Sequence, residues 1–314
     1  MPEKVSDIST AAVDSPTAPP PGPPSRLAVA FGAAYAEARD ALALRDPEAA
    51  VHGVRKGFKR LRALLRLAGA APEREVAQRA RAARRSLAAT ARHLAQARDA
   101  AAREDALDDL VAKAGLTKAS RRAAGRAFAP PPARTSHQAR EGGVGDHGAT
   151  LEAEMAALAA ALPQLGDALD DDALVAALAA SYASGRRAGR RVDPADEESL
   201  HELRKEVITL RYQMELVVFA WPALGQFWVD ELQRLRDKLG KHHDLAVLRA
   251  RAEAHPVRAD GRPAWRAELL AAIEARQAKL AASALLLHAR LFAERPKAFR
   301  RRLSAYMSAV SDRK

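Results

Sequence analysis

The sequence predicts an all-α fold, and three observations carry that prediction. Hydrophobic residues make up 48% of the chain with Ala the main contributor, while aromatics reach only 4%. Ala is the best helix former and a poor core filler, so such a chain builds long helices that pack closely through small side chains. Strand-forming runs of Val, Ile, Tyr and Phe are few. From Arg26 onward, apolar residues recur at helical spacing.

Taken in order, residues 1–25 read as a disordered tail, with the run Pro19-Pro20-Pro21-Gly22-Pro23-Pro24 and no apolar period. Helices are then expected over Arg26–Leu44, Pro47–Ala68, Glu73–Ala114, Thr150–Leu162, Asp170–Arg191, Pro194–Ala220, Leu224–Ala254, Ala264–His288 and Pro296–Val310. The second and sixth open on Asp-Pro, a capping acid before a proline at the first helical position. Arg186, Arg187, Arg190 and Arg191 close the fifth, where cations suit the helix C-terminus. Residues 117–148 break the pattern with Pro130-Pro131-Pro132 and Gly142-Gly143, and read as a long mobile loop.

The length of 314 residues suits one large domain or two small ones. There is no Cys, which excludes disulfides, thiol catalysis and Cys-ligated metal. No apolar run reaches the ~18 residues of a membrane helix, and the N-terminus lacks the apolar segment of a secretory signal. A cytoplasmic protein is expected. The net charge of +12 points to a polyanionic partner of unspecified kind.

Self-comparison sharpens this. His52, Arg55, Lys56 and Arg62 recur at the same spacing as His201, Arg204, Lys205 and Arg211. Leu94 to Asp99 aligns with Leu239 to Asp244. The chain reads as a duplication of a helical unit of about 140 residues, the second copy beginning near Asp170.

A helix turns ~100° per residue. With His52 at 0°, Arg55, Lys59, Arg62 and Arg66 fall within a stripe of roughly 80°. Val51, Val54, Phe58, Leu61 and Leu65 form the adjacent apolar face. Leu200, Leu203, Val207, Leu210 and Met214 repeat that face in the second copy, beside His201, Arg204 and Arg211, flanked by Lys205 and Tyr212. Cations spaced along one face offer repeated charge-assisted hydrogen bonds to phosphate oxygens. A merely solvated basic face is the competing reading. Against it, no Asp or Glu lies between Val51 and Ala71 to neutralise the first stripe by i,i+4 pairing. Arg85 and Arg92 on the next helix, and Lys238, Lys241 and His242 in its counterpart, extend the candidate set. Asp99 and Asp244 stand as odd acids among cations, and are read as structural partners that fix a neighbouring Arg or His.

These residues resemble a known family. Val51-His52-x-x-Arg55-Lys56 and Leu200-His201-x-x-Arg204-Lys205, with Arg98-Asp99 and His243-Asp244, resemble the signature helices of the CHAD domain, the conserved histidine α-helical domain. The resemblance runs from Arg26 to the C-terminus, making 26–314 a single domain with halves at 26–165 and 166–312. It implies two four-helix bundles related by a pseudo-twofold axis. It also implies binding of inorganic polyphosphate on a basic surface, often at polyphosphate granules, with no catalysis, cofactor or metal. Ile208 stands where the first copy has Lys59, so the second stripe is weaker in charge.

Two other readings stay open. A nucleic-acid-binding helical protein fits the charge, yet Tyr212 is the lone aromatic in the stripes for base stacking. A helical-bundle metalloprotein is suggested by Glu198-x-x-His201, but Arg204, Lys205 and Arg211 crowd that His and repel a cation.

Overall fold

The computed structural model describes residues 24–93, 99–129, 148–256 and 264–311. Within them every regular element is helical: eleven α-helices and a 3-10 segment, Glu215–Ala220. The helices are α1 (Arg26–Leu42), α2 (Pro47–Ala68), α3 (Arg74–His93), α4 (Asp99–Lys113), α5 (Lys118–Phe128), α6 (Gly148–Gly166), α7 (Asp171–Arg190), α8 (Glu197–Met214), α9 (Pro222–Ala254), α10 (Ala264–Leu291) and α11 (Pro296–Ser311). The Pro-rich tail, to residue 23, lies outside the described residues; Ser25 caps α1 through the Ala28 N–H and donates from Oγ to the Gly166 carbonyl at 2.6 Å.

Several expectations are corrected. Residues 117–148 are not all loop. Thr117 caps α5, whose Ala124 and Phe128 are buried against α10. The prolines and glycines that suggested a loop fall at 130–147, outside the described residues. Over the expected helix Glu73–Ala114 the described residues form α3 and α4, and residues 94–98 lie outside them. α6 runs on through Pro163 to Gly166. α8 begins three residues later than its Asp-Pro suggests, because Asp196 rather than Asp193 accepts from the first-turn N–H groups of Glu198 and Ser199. At α2 the capping reading holds: Asp46 accepts from the Glu48 N–H, with Pro47 in the first turn.

Two apolar cores form. The larger joins α1, α2, α3 and α6 to α7, α8, the 3-10 segment, the first half of α9, the second half of α10 and α11, with α2 packed on α8 between the groups. The smaller lies between α4, α5, the second half of α9 and the first half of α10. α9, with 33 residues, spans ~50 Å and serves both: Leu232, Leu235 and Leu239 sit in the larger core, Leu245, Leu248 and Ala252 in the smaller. The contact order runs in parallel, with α1 packing on α2 and α6 and α7 packing on α8 and α11. Helices α4 and α5, from the N-terminal half, pack on α9 and α10 from the C-terminal half.

The predicted apolar faces are the buried ones. Val51, Val54, Phe58, Leu61 and Leu65 of α2 are buried, as are Leu200, Leu203, Val207, Leu210 and Met214 of α8. This burial fixes the rotation of both helices and so sets where their cations point.

Candidate anion-binding cleft

With the apolar stripe of α2 committed to the core, its neighbouring stripe turns toward α8 and α9. Two cavities result, and they share Arg55 and Lys59. The first, about 210 Å³, is lined by His52, Arg55, Lys56, Lys59, Ile208, Arg211, Tyr212, Gln233 and Arg236. The second, about 330 Å³, is lined by Arg55, Lys59, Ala102, Arg103, His201, Arg204, His243, Asp244, Val247, Leu248 and Arg251. Together the linings hold eight Arg or Lys and three His against one carboxylate, Asp244. The local balance, rather than the overall charge, is what a polyanion meets.

The stripe continues beyond Lys59. Arg62 and Arg66 face Arg84 and Arg92 of α3. Burial, then Arg84 and Arg92, push the Arg62 pKa down. Burial, then Arg66, do the same at Arg84. Guanidinium groups stay charged at neutral pH whatever the shift, so these directions report crowding of like charges. A polyanion laid across them relieves it.

The acids opposing this surface come from other helices, which spacing along α2 could not reveal. Glu37 of α1 pairs with Lys56 at 2.6 Å and Arg60 at 3.6 Å. Glu206 of α8 pairs with Arg66 at 2.9 Å. Glu215 pairs with Arg60 at 3.1 Å and Arg211 at 3.2 Å. Lys205 is exposed and pairs with Glu202 at 2.5 Å. Glu206 is the acid seated in the arginine cluster, since its charge also acts on Arg84. Replacing Glu206 with Gln is expected to raise polyanion affinity about three- to tenfold while lowering stability by about 1 kcal/mol. Titration and thermal melting check both signs; a weakened affinity would mean that Glu206 orients Arg66 rather than neutralising it.

The remaining predicted residues part company. Arg85 is exposed on the outer side of α3 in a shallow site with Glu75, Arg79 and Arg81. Lys238 and Lys241 face a groove between α9 and α10, where Lys241 pairs with Asp109 at 3.0 Å. His242 is not on the ridge: it is 5% exposed, in the α9 core register, and its carbonyl accepts from Gln277. Its neighbour His243 reaches the cleft instead, with its ring centroid 4.8 Å from that of His201. Arg103, Arg236 and Arg251 also line the cleft without having been singled out. Asp244 lines it too, and its charge works against the burial and the Arg204 field that lower the His243 pKa. The Asp99 side chain lies outside the described residues.

Among the described residues, no three His, Asp or Glu side chains are grouped to hold a metal. Nor is any helix long and apolar enough to cross a membrane.

A model of the CHAD domain matches residues 28–253, which span both histidine helices and the cleft between them. The chain belongs to the CHAD-domain family. Its fold is also similar to a solved structure, PptA from Streptomyces chartreusis, at a TM-score of 0.56 and 19% identity, covering 87% of this chain and 100% of that one. At that identity the likeness is one of fold alone. No curated protein matches the chain. In this CHAD domain the paired His-x-x-Arg-Lys segments of α2 and α8 thus come together at the helix–helix contact joining the two parts of the larger core. The Arg204 guanidinium passes over α9 at Gly240, 3.7 Å from where a Cβ would stand. Alanine there would make ordinary contact.

Proposed function

We propose that this CHAD domain binds inorganic polyphosphate along the α2–α8–α9 cleft, as a binding module without catalysis. The observation that carries the reading is the sharing of Arg55 and Lys59 between the two cavities, which makes one continuous cationic track rather than isolated patches. A flexible chain of phosphates can settle into such a track residue by residue, each oxygen taking a charge-assisted hydrogen bond from Arg, Lys or His. The same binding would carry the protein to polyphosphate granules in the cytoplasm.

A nucleic acid is less well served. Tyr212 is the aromatic in the track, and the Arg211 guanidinium lies over its ring, 4.7 Å from the centroid. That face is therefore occupied, and sequence-tolerant single-strand binding relies on open aromatic platforms.

Titration with long-chain polyphosphate at rising salt tests the proposal. Each phosphate contact adds about 0.7–0.9 to the slope of log affinity against log salt. Engagement of six cations gives a slope of about −4 to −5. A flat salt dependence, or displacement of polyphosphate by duplex DNA at equal phosphate concentration, would overturn the assignment.

A further inference from the structure

The two cavities of the cleft differ in chemistry, and the difference assigns them different parts of a phosphate chain. Resting on the polyphosphate reading above, we propose that the cavity around His201 and His243 is a subsite for the terminal phosphate of a chain, whereas the His52 cavity takes interior phosphates.

Beside the single ring of His52, this side offers charge that does not titrate near neutrality, from Arg55, Lys56, Lys59, Arg211 and Arg236; its lining holds no carboxylate, and Glu37, Glu215 and Asp237 pair with Lys56, Arg211 and Arg236 from outside it. That suits interior phosphates, which carry one fixed negative charge each and have no proton to exchange near neutral pH. A terminal phosphate differs in three ways. It carries a charge of about −1.5 to −2 at pH 7, its second ionisation lies near pH 6, and it presents three free oxygens. Only such a group has a use for donors that can themselves gain a proton.

The other cavity supplies those donors. The His201 and His243 rings lie 4.8 Å apart and tilted by 33°. His201 Nδ1 is buried without a hydrogen-bond partner. Burial first, then Lys205, His243 and Arg204, disfavour a proton on His201, while Glu198 favours it. At His243, burial and Arg204 oppose the proton, and Asp244, Glu197 and Glu198 support it. Arg55 and Lys59 from α2 and Arg103 from α4 add positive charge around the same space. Both rings are therefore held toward the neutral form in the free protein. A doubly charged phosphate end reverses the local field, so one ring takes up a proton and donates it in a hydrogen bond to the new anion. Asp244 next to His243 holds that imidazolium. Arg251 completes the charged lining, its guanidinium donating to the Phe128 carbonyl at 3.2 Å, and the remaining wall of Ala102, Val247 and Leu248 is apolar and offers nothing to a further phosphate.

The test compares one linear polyphosphate of defined length in two forms, with free ends and with both ends blocked as alkyl phosphoramidates. Calorimetry at pH 7 in two buffers of different ionisation enthalpy gives affinity and proton uptake together. Free-ended chains are expected to bind roughly tenfold more tightly than blocked ones and to take up about one proton per bound end, while blocked chains take up none. In the His201→Gln, His243→Gln double variant, free and blocked chains should bind alike and without proton uptake. Equal affinity and equal proton uptake for the two forms in the unaltered protein would overturn the end-recognition inference and leave polyphosphate binding standing. Failure of both forms to bind would overturn the function itself. The comparison on the unaltered protein decides the matter even if the double variant does not fold.

Discussion

Replacing Arg55, Lys59 and Arg62 together with Glu is expected to weaken long-chain polyphosphate binding by roughly three orders of magnitude. Each removed cation forfeits a charged hydrogen bond to phosphate, typically about 1.5 kcal/mol or more. Arg55 and Lys59 line both cavities, so their reversal cuts the track in the middle. Arg62 adds a third break where the stripe meets Arg84 and Arg92. The fold should persist, because the core face of α2 is carried by Val51, Val54, Phe58, Leu61 and Leu65, which are untouched. The control is a second triple reversal, Arg234, Lys238 and Arg290 to Glu, in the groove between α9 and α10. It changes the net charge by the same amount but lies off the track. It should cost about tenfold at low salt, through the overall field alone. Equal losses in the two triple variants, measured by titration on proteins with matching circular dichroism, would reduce the binding to net charge and sink the cleft.

The legibility of this arrangement in the sequence follows the reach of helical geometry. Periodicity along one helix gave the core faces of α2 and α8, and with them the direction of both cationic stripes. It also held the answer for His242. Leu232, Leu235 and Leu239 set the buried register of α9, and His242 is the next position on it. In the run His242-His243, register rather than charge type decides which ring meets the cleft: His242 is buried and His243 lines it. Contacts between helices were not legible in this way. Glu37 of α1, Glu206 of α8 and Glu215 of the 3-10 segment temper the α2 stripe across sequence distances no i,i+4 rule covers; the Arg211–Glu215 pair alone sits at that spacing. Arg103 and Arg251 join the cleft because α4 and the second half of α9 share the smaller core. Helix α5 was obscured by the prolines that follow it. Its own signals, Thr117 as cap and apolar Ala124 and Phe128 four residues apart, were present but short.

The position of the track depends on how closely α2 lies against α1, and two glycines set that distance. A Cβ on Gly57 would stand 2.7 Å from the Ala38 Cβ, and one on Gly53 would stand 2.5 Å from the Ala41 Cβ. Such separations are far inside van der Waals contact, so the glycines exist to let the two backbones approach. Gly57→Ala is therefore expected to destabilise the protein by about 1–2 kcal/mol, since overpacking outweighs the gain in helix propensity. Ala38→Gly alone should cost about 1 kcal/mol, through lost propensity and lost burial. Combined, the two move one methyl group across the interface, and most of the lost stability should return. Urea denaturation of the four proteins reads the coupling, expected at about 1–2 kcal/mol in favour of the double variant. Polyphosphate affinity should follow the same pattern. Pushing α2 off α1 shifts Arg55 and Lys59 relative to Arg204 and Arg211 on α8, and the exchanged pair lets α2 settle back. Additive stabilities would show that α1 and α2 can separate without strain. Unaltered affinity in Gly57→Ala would show that the track tolerates movement of the helix that carries most of its charge.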